Sequence, residues 1–355
     1  MTASMNSFID KIFSIQSPEQ FNALALEAYE FQRENCPVYR EYLNLIEKGE
    51  FHPKSVEQIP FLPIRFFKSR DVLTGPAAES GVVFTSSATT GMVPSHHIVK
   101  DISVYERSFR EGFRNFYGES GSYNLLALLP SYLEREGSSL VYMAEKLIAE
   151  TKANGAEGGF FLYDHLNLLD NLKKLKGRKT ILLGVSFALL DFAKYAKGQI
   201  PDPQERKSIF SDVIIMETGG MKGRGEELSR KELHSRLGDA FISSPIHSEY
   251  GMCELLSQAY SFDEEGVFFT PPWMRALSRD IQDPFKILSR EPYALGGLNI
   301  IDLANINSCC FIETEDSGKV FSTGTDEAKR SVHPPFTVDG RIKNSERRGC
   351  NMLVE

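Results

Sequence analysis

The chain has 355 residues, 41% of them hydrophobic and 25% charged, with a formal net charge of −8. That is enough for one large α/β domain or two smaller ones, and it excludes the disordered and fibrous classes. The acidic balance argues against a nucleic-acid grip, which needs cations laid over a phosphate backbone.

The opening reads as helical. Ser17-Pro18-Glu19-Gln20 offers a capping hydroxyl, a proline at the first helical position and a glutamine three residues after the cap. Phe21, Leu24, Ala25, Ala28 and Tyr29 then recur at helical spacing until Cys36-Pro37 ends the pattern. Ile59-Pro60-Phe61-Leu62-Pro63-Ile64 is too apolar for a solvated loop and is expected to lie against the core. From about residue 81, short apolar runs alternate with helical segments. Gly81-Val82-Val83-Phe84, Leu125 to Pro130, Thr180 to Leu183 and Asp212 to Met216 read as strands. Ser138 to Ile148, Phe187 to Tyr195 and Glu226 to Leu237 read as helices. Buried strands alternating with helices predict a parallel α/β architecture. From Gly266 the chain turns rich in strands and breakers, which predicts a smaller β subdomain.

The longest apolar run, Ile181 to Leu190, has ten residues, against the ~20 that a membrane-spanning helix needs. Asp10 and Lys11 interrupt the apolar residues of the N-terminus, so no secretory signal is expected. Five cysteines (Cys36, Cys253, Cys309, Cys310, Cys350) without a metal-like CxxC pair point to free thiols in a reducing cytoplasm. The basic stretch Lys173, Lys174, Lys176, Arg178 and Lys179 fits a solvated helix end ahead of a buried strand, or a phosphate track.

Three stretches carry chemistry. Thr85-Ser86-Ser87-Ala88-Thr89-Thr90-Gly91 follows a strand and packs hydroxyl and amide donors into a short space, the composition needed to wrap a polyphosphate. No Gly-Lys-Ser/Thr closes it, so it is not a P-loop. Glu217-Thr218-Gly219-Gly220-Met221-Lys222-Gly223-Arg224-Gly225 follows another strand, and its glycines let backbone approach something flat or charged. Tyr250-Gly251-Met252-Cys253-Glu254 joins an aromatic face to a carboxylate, which could stack a base and hold Mg²⁺. Each stretch alone also fits an ordinary turn. His96-His97 either touch phosphate or the substrate carboxylate, or lie on a strand surface.

The order of the pieces is more specific than any one of them. With Thr314-Glu315-Asp316 and Gly340-Arg341 following, the series resembles the adenylate-forming superfamily of acyl-CoA synthetases and their relatives. Within it the chain is most similar to the acyl-protein synthetases of the bacterial luminescence fatty-acid reductase. That narrower likeness rests on Ile59 to Ile64 with Phe67-Lys68, on Gly219-Gly220-Met221-Lys222, and on Tyr250 to Glu254 running on to Ser257-Gln258. Asn299 to Leu303 and the ending Gly340-Arg341 … Gly349-Cys350 complete it.

The resemblance implies an α/β adenylate-forming N-terminal domain, with layered sheets, a smaller β subdomain and a truncated mobile C-terminal domain. Residues 1–335 are then the large adenylation domain, mainly helical over 1–80, and 336–355 a hinge-like remnant and tail carrying Cys350. It implies that Thr85, Ser86, Ser87, Thr89, Thr90 and Gly91 hold the ATP phosphates. Gly219 and Gly220 wall the adenine pocket, Tyr250 and Gly251 lie at the base, Glu254 binds Mg²⁺, Asp316 the ribose hydroxyls and Arg341 the ribose or α-phosphate region. The usual Pro-Lys closing the phosphate loop is replaced by Met92-Val93-Pro94-Ser95; by the same resemblance the C-terminal-domain lysine is expected to be absent, with Lys222 or Arg224 supplying part of its charge.

By the same resemblance, the enzyme makes an acyl adenylate from a fatty acid with ATP and moves the acyl group onto Cys350, beside Arg347 and Arg348, for delivery to an acyl reductase. Adjacent guanidinium charge favours the thiolate. Two other functions fit the sequence: a ligase delivering to coenzyme A or a carrier protein, and a non-catalytic scaffold for a reductase.

Overall fold

The helix starts fall where hydroxyl and carboxylate caps put them. In the computed structural model, which describes residues 3–76, 81–86, 93–129, 137–219, 228–242, 246–288, 295–321 and 331–342, the Ser17 side chain accepts from the Gln20 amide and opens the helix Pro18–Asn35. Pro37 does more than end that helix: it opens the next one, Pro37–Leu45. The expected helix Glu226 to Leu237 is observed as Arg230–Phe241, because Ser229 and Glu232 form a reciprocal capping box at its start. Residues 226 and 227 lie outside the described ones.

The chain divides into two compact units, one of Met1–Glu79 with Phe269–Glu355, the other of Ser80–Phe268. The architecture is mixed α/β: the parallel arrangement that the alternation of runs predicts is found in the second unit, and the sheet of the first is mainly antiparallel.

The second unit is built on a six-stranded sheet in the order Gly158–Phe160, Asn124–Leu128, Thr180–Val185, Val213–Thr218, His247–Tyr250, Ala259–Ser261. The first five strands are parallel and the last is antiparallel. Asn124–Leu128 and Thr180–Val185 are buried at every position, as strands covered on both faces should be. The helices Ser139–Ala153, Ser186–Gln199 and Arg230–Phe241 belong to the connections that parallel strands require. A separate hairpin pairs Val82–Thr85 with His96–Val99.

The first unit carries a second sheet in which Met274–Arg279, Gly296–Asp302 and Phe311–Gly318 run antiparallel. Leu62–Pro63 adds a parallel edge to Phe311–Gly318, which explains why the proline-punctuated stretch is so apolar. Gly340–Arg341 pairs with the far end of the same strand. The predicted β subdomain is therefore not made of the last third alone, since the N-terminal helices and residues 62–63 belong to the same unit. Gln32, fully buried, donates to the Asn305 and Ile306 carbonyls at 3.0 and 3.1 Å and accepts from the Cys310 amide at 2.9 Å. One carboxamide thus satisfies three backbone groups more than 270 residues away in sequence.

Candidate active site

In the second unit, Glu217 stands opposite Ser248 and Thr218 opposite Glu249 in the parallel pairing. Gly219 and Tyr250 come one step later, so Gly219 and the Tyr-Gly-Met-Cys-Glu turn leave the sheet side by side. Open α/β sheets bind ligands outside this carboxyl edge. Gly219 has φ +68°, a left-handed conformation that glycine adopts without a Cβ penalty. Its carbonyl accepts a 2.5 Å hydrogen bond from the Ser186 hydroxyl, at the start of the helix after the neighbouring strand.

Two acids lie just inside this edge, neither with a role expected from the motifs, although Glu217 opens the glycine stretch. Glu217 and Glu249 are only 5% and 6% exposed. The Ser186 hydroxyl lies 3.3 Å from the Glu217 carboxylate, and His234 Nε2 lies 3.8 Å from it on the other side. Ser248 Oγ is 3.2 Å from the same His234 nitrogen. The Thr218 hydroxyl donates to Glu249. Burial pushes the Glu249 carboxyl up to about 7; the Glu217 charge adds to this and the Thr218 bond opposes it. A signal was present in the sequence: each acid interrupts an otherwise buried strand two residues before a motif glycine.

Tyr250 is 9% exposed, with its ring 5.7 Å from that of Phe268, over which the Arg230 guanidinium sits at 4.6 Å. Gly251 lies tight against the buried acid: a Cβ there would come within 2.5 Å of Glu249 Oε1, so the carboxylate would have to shift. Glu254 closes the turn and is 5% exposed.

The hairpin that carries the hydroxyl loop is tied to that turn. His97 Nδ1 lies 3.0 Å from the Cys253 carbonyl, and since a carbonyl only accepts, Nδ1 carries the proton. Burial holds the His97 pKa down to about 4. His97 is therefore neither on an open strand surface nor exposed, but a buried neutral donor. Ser86 closes the base of the loop: its amide donates to the Ser95 carbonyl at 3.0 Å and its hydroxyl accepts from the Ser95 amide at 2.8 Å. Thr85 is exposed one residue earlier.

In the first unit, Asp316 and Arg341 face each other as a pair in the antiparallel ladder, Asp316 half-buried and Arg341 exposed. Of the sequence-derived residues, Thr85, Ser86, Gly219, Tyr250, Gly251, Glu254, Asp316 and Arg341 are described; Ser87, Thr89, Thr90, Gly91, Gly220, Lys222 and Cys350 lie outside the described residues.

Gly219 and the Tyr-Gly-x-x-Glu turn thus lie at neighbouring strand ends of a mixed α/β fold, the placement that the motif order predicts. No family model matches the chain. Two curated proteins do, each named a long-chain-fatty-acid–luciferin-component ligase. The one from Vibrio harveyi is 24% identical over 356 residues, covering 96% of this chain and 89% of that protein. The one from Aliivibrio fischeri is 23% identical over 382 residues, covering 98% and 94%. The chain is thus homologous to these ligases along nearly its whole length.

Among solved structures, the amide bond synthetase McbA of Marinactinospora thermotolerans is similar at 14% identity and a TM-score of 0.45, over 72% of this chain and 52% of that one. MbtA of Mycobacterium smegmatis is similar at 15% identity and a TM-score of 0.44, over 74% and 46%. The chain matches about half the length of these two structures.

Proposed function

We propose that this chain is an ATP-dependent acid ligase working in two half-reactions. In the first, a fatty-acid carboxylate oxygen attacks the α-phosphorus of ATP. The bond to the bridging α–β oxygen breaks, giving acyl adenylate and pyrophosphate. In the second, the Cys350 thiolate attacks the acyl carbon, the bond from that carbon to the phosphate oxygen breaks, and AMP leaves. The thioester is then passed to an acyl reductase in a reducing cytoplasm. The observation that carries this reading is the meeting of Gly219 and Tyr250 at adjacent parallel strand ends.

The roles follow from charge. A carboxylate approaching a phosphate is anion meeting anion, so donors and cations must offset charge as it develops. Thr85 to Gly91 hold the phosphates, Gly219, Gly220, Tyr250 and Gly251 the adenine, and Asp316 the ribose hydroxyls. Arg341 sits by the ribose or α-phosphate, and Lys222 assists adenylation, with Arg224 beside it in sequence. Among the described residues no group of three or more His, Cys, Asp or Glu could hold a metal ion. A single carboxylate such as Glu254 suits Mg²⁺, which binds through one or two carboxylates and completes its shell with substrate phosphates and water. Bound there, the ion neutralises phosphate charge.

The other thiols are poorly suited to accept the acyl group. Cys36, Cys253, Cys309 and Cys310 are all buried, and burial pushes each thiol up, away from the reactive thiolate. Cys350, the fifth cysteine, follows Arg347 and Arg348.

Pyrophosphate–ATP exchange with a panel of carboxylic acids tests the first half-reaction; no exchange with any acid would leave the scaffold reading. Intact mass after incubation with ATP and a fatty acid tests the second. An acyl adduct lost in Cys350→Ser is expected, whereas thioester formed only on added coenzyme A supports the rival ligase. Lys222→Ala is expected to slow exchange.

A further inference from the structure

The ladder between Gly296–Asp302 and Phe311–Gly318 breaks where the Thr-Glu-Asp motif sits. Asn299 pairs with Glu313, but Gly297 pairs with Ser317. Leu298 alone therefore spans three residues, Thr314, Glu315 and Asp316. Such a bulge re-aims side chains, and it strips the local carbonyls of their ladder partners.

One buried side chain takes over those carbonyls. Arg279, 4% exposed on the next strand, donates from Nη1 to the Leu298 carbonyl at 2.9 Å and to Asn299 Oδ1 at 3.1 Å. Its Nη2 donates to the Thr314 carbonyl at 2.8 Å and lies 3.5 Å from Glu313 Oε1. Thr314 Oγ1 donates to the same Leu298 carbonyl at 2.7 Å and accepts from the Asp316 amide at 3.2 Å. The pocket for the guanidinium exists because residue 297 is glycine: a Cβ there would come within 2.5 Å of Arg279 Cζ. On the outer side of the bulge the Glu315 carbonyl accepts from the Ile342 amide at 2.9 Å, beside the Asp316–Arg341 pair.

We propose that Arg279 is a positioning residue for nucleotide binding: its planar guanidinium, clamped between the Leu298 and Thr314 carbonyls, holds open the bulge that presents Asp316 to the ribose hydroxyls. This rests on the ribose role proposed for Asp316. A planar fork is what the geometry uses, and a lysine at 279 supplies charge without it. Thr314 acts in the same unit, since its hydroxyl links the carbonyl that Arg279 holds to the Asp316 amide.

The test is discrimination between ATP and 2′-deoxyATP in pyrophosphate exchange, which a merely structural role leaves unmoved. A carboxylate hydrogen bond to a ribose hydroxyl gives a preference of roughly tenfold to a hundredfold. Asp316→Ala sets the benchmark by removing that preference. Arg279→Lys is expected to lose most of it, through a raised KM for ATP, with kcat/KM for 2′-deoxyATP nearly retained. Should Arg279→Lys fail to fold, as judged by circular dichroism, Thr314→Val decides. Lost preference in that variant supports the proposal, and full preference overturns it. Preference retained in a folded Arg279→Lys while Asp316→Ala has lost it overturns the inference alone. Preference retained in Asp316→Ala itself overturns the ribose assignment, and the inference with it.

Discussion

Beneath Gly219 and Tyr250 lie two acids, Glu217 and Glu249, whereas the strand that carries Asp316 is held by a guanidinium. In the six-stranded sheet the ladder is regular, and the motif residues sit where parallel strands end. In the antiparallel sheet the motif sits inside a strand, at a break in its ladder. The first arrangement comes with the topology and leaves its buried acids to be satisfied by Ser186, Thr218 and His234. The second has to be built, and a buried cation with several donors in one plane is the means.

The largest expected effect is on the guanidinium side. Arg279→Met roughly keeps the volume but takes the guanidinium from the Thr314 carbonyl and Glu313, and leaves the Leu298 carbonyl with the Thr314 hydroxyl in place of two donors. Breaking such a buried cluster should destabilise by ~3–5 kcal/mol, read from urea unfolding. A change below 1 kcal/mol would mean that the bulge stands without Arg279 and would erase the contrast.

On the acid side the expected signature is a pH slope. Glu249 has a folded pKa near 7, against an ordinary value of 4.5, so the folded state binds its proton more tightly. Its contribution is complete below pH 4.5, declines as pH rises, and is gone above about 7. Glu249→Gln should flatten that slope, worth about 3 kcal/mol across the window, and leave the variant more stable than the parent at pH 7. Urea midpoints at several pH values read this directly; parallel profiles for parent and variant would show that the carboxyl is not held neutral.

A matched pair of glycines gives the smallest and sharpest comparison. A Cβ at Gly297 would strike Arg279 Cζ and at Gly251 would strike Glu249 Oε1, each at 2.5 Å. Alanine at either site should cost ~1–3 kcal/mol by overpacking. Gly297→Ala should raise the KM for ATP more than that for 2′-deoxyATP, whereas Gly251→Ala should raise both alike.

Much of this was legible in the chain. The Ser17 cap and the apolar run from Thr180 each signal an element through local chemistry, and each element is present; the proline stretch at 59–64 signals core contact, and Ile59, Phe61 and Leu62 are buried. Gly158–Phe160 was not legible, because two glycines and one aromatic make no apolar run; it is a strand only by pairing with Asn124–Leu128. The candidate site divides the same way. Gly219 and Tyr250 announce themselves as motifs, but Arg279 does not, since its partners Leu298 and Thr314 are reached only after two strands pair and one of them bulges. Glu217 and Glu249 lie between these cases: acids inside buried strands are visible as anomalies, but their closeness follows only from the register.

The division of the chain has a consequence at the ribosome. Helices from Met1–Glu79 pack in one unit with strands that begin only after Phe269. Gln32 finds its backbone partners at residues 305, 306 and 310. At ordinary translation speeds the intervening stretch takes roughly ten to forty seconds to emerge. Throughout that interval the amphipathic face of Pro18–Asn35 has no sheet to cover it, which makes the nascent N-terminus a natural client for chaperones.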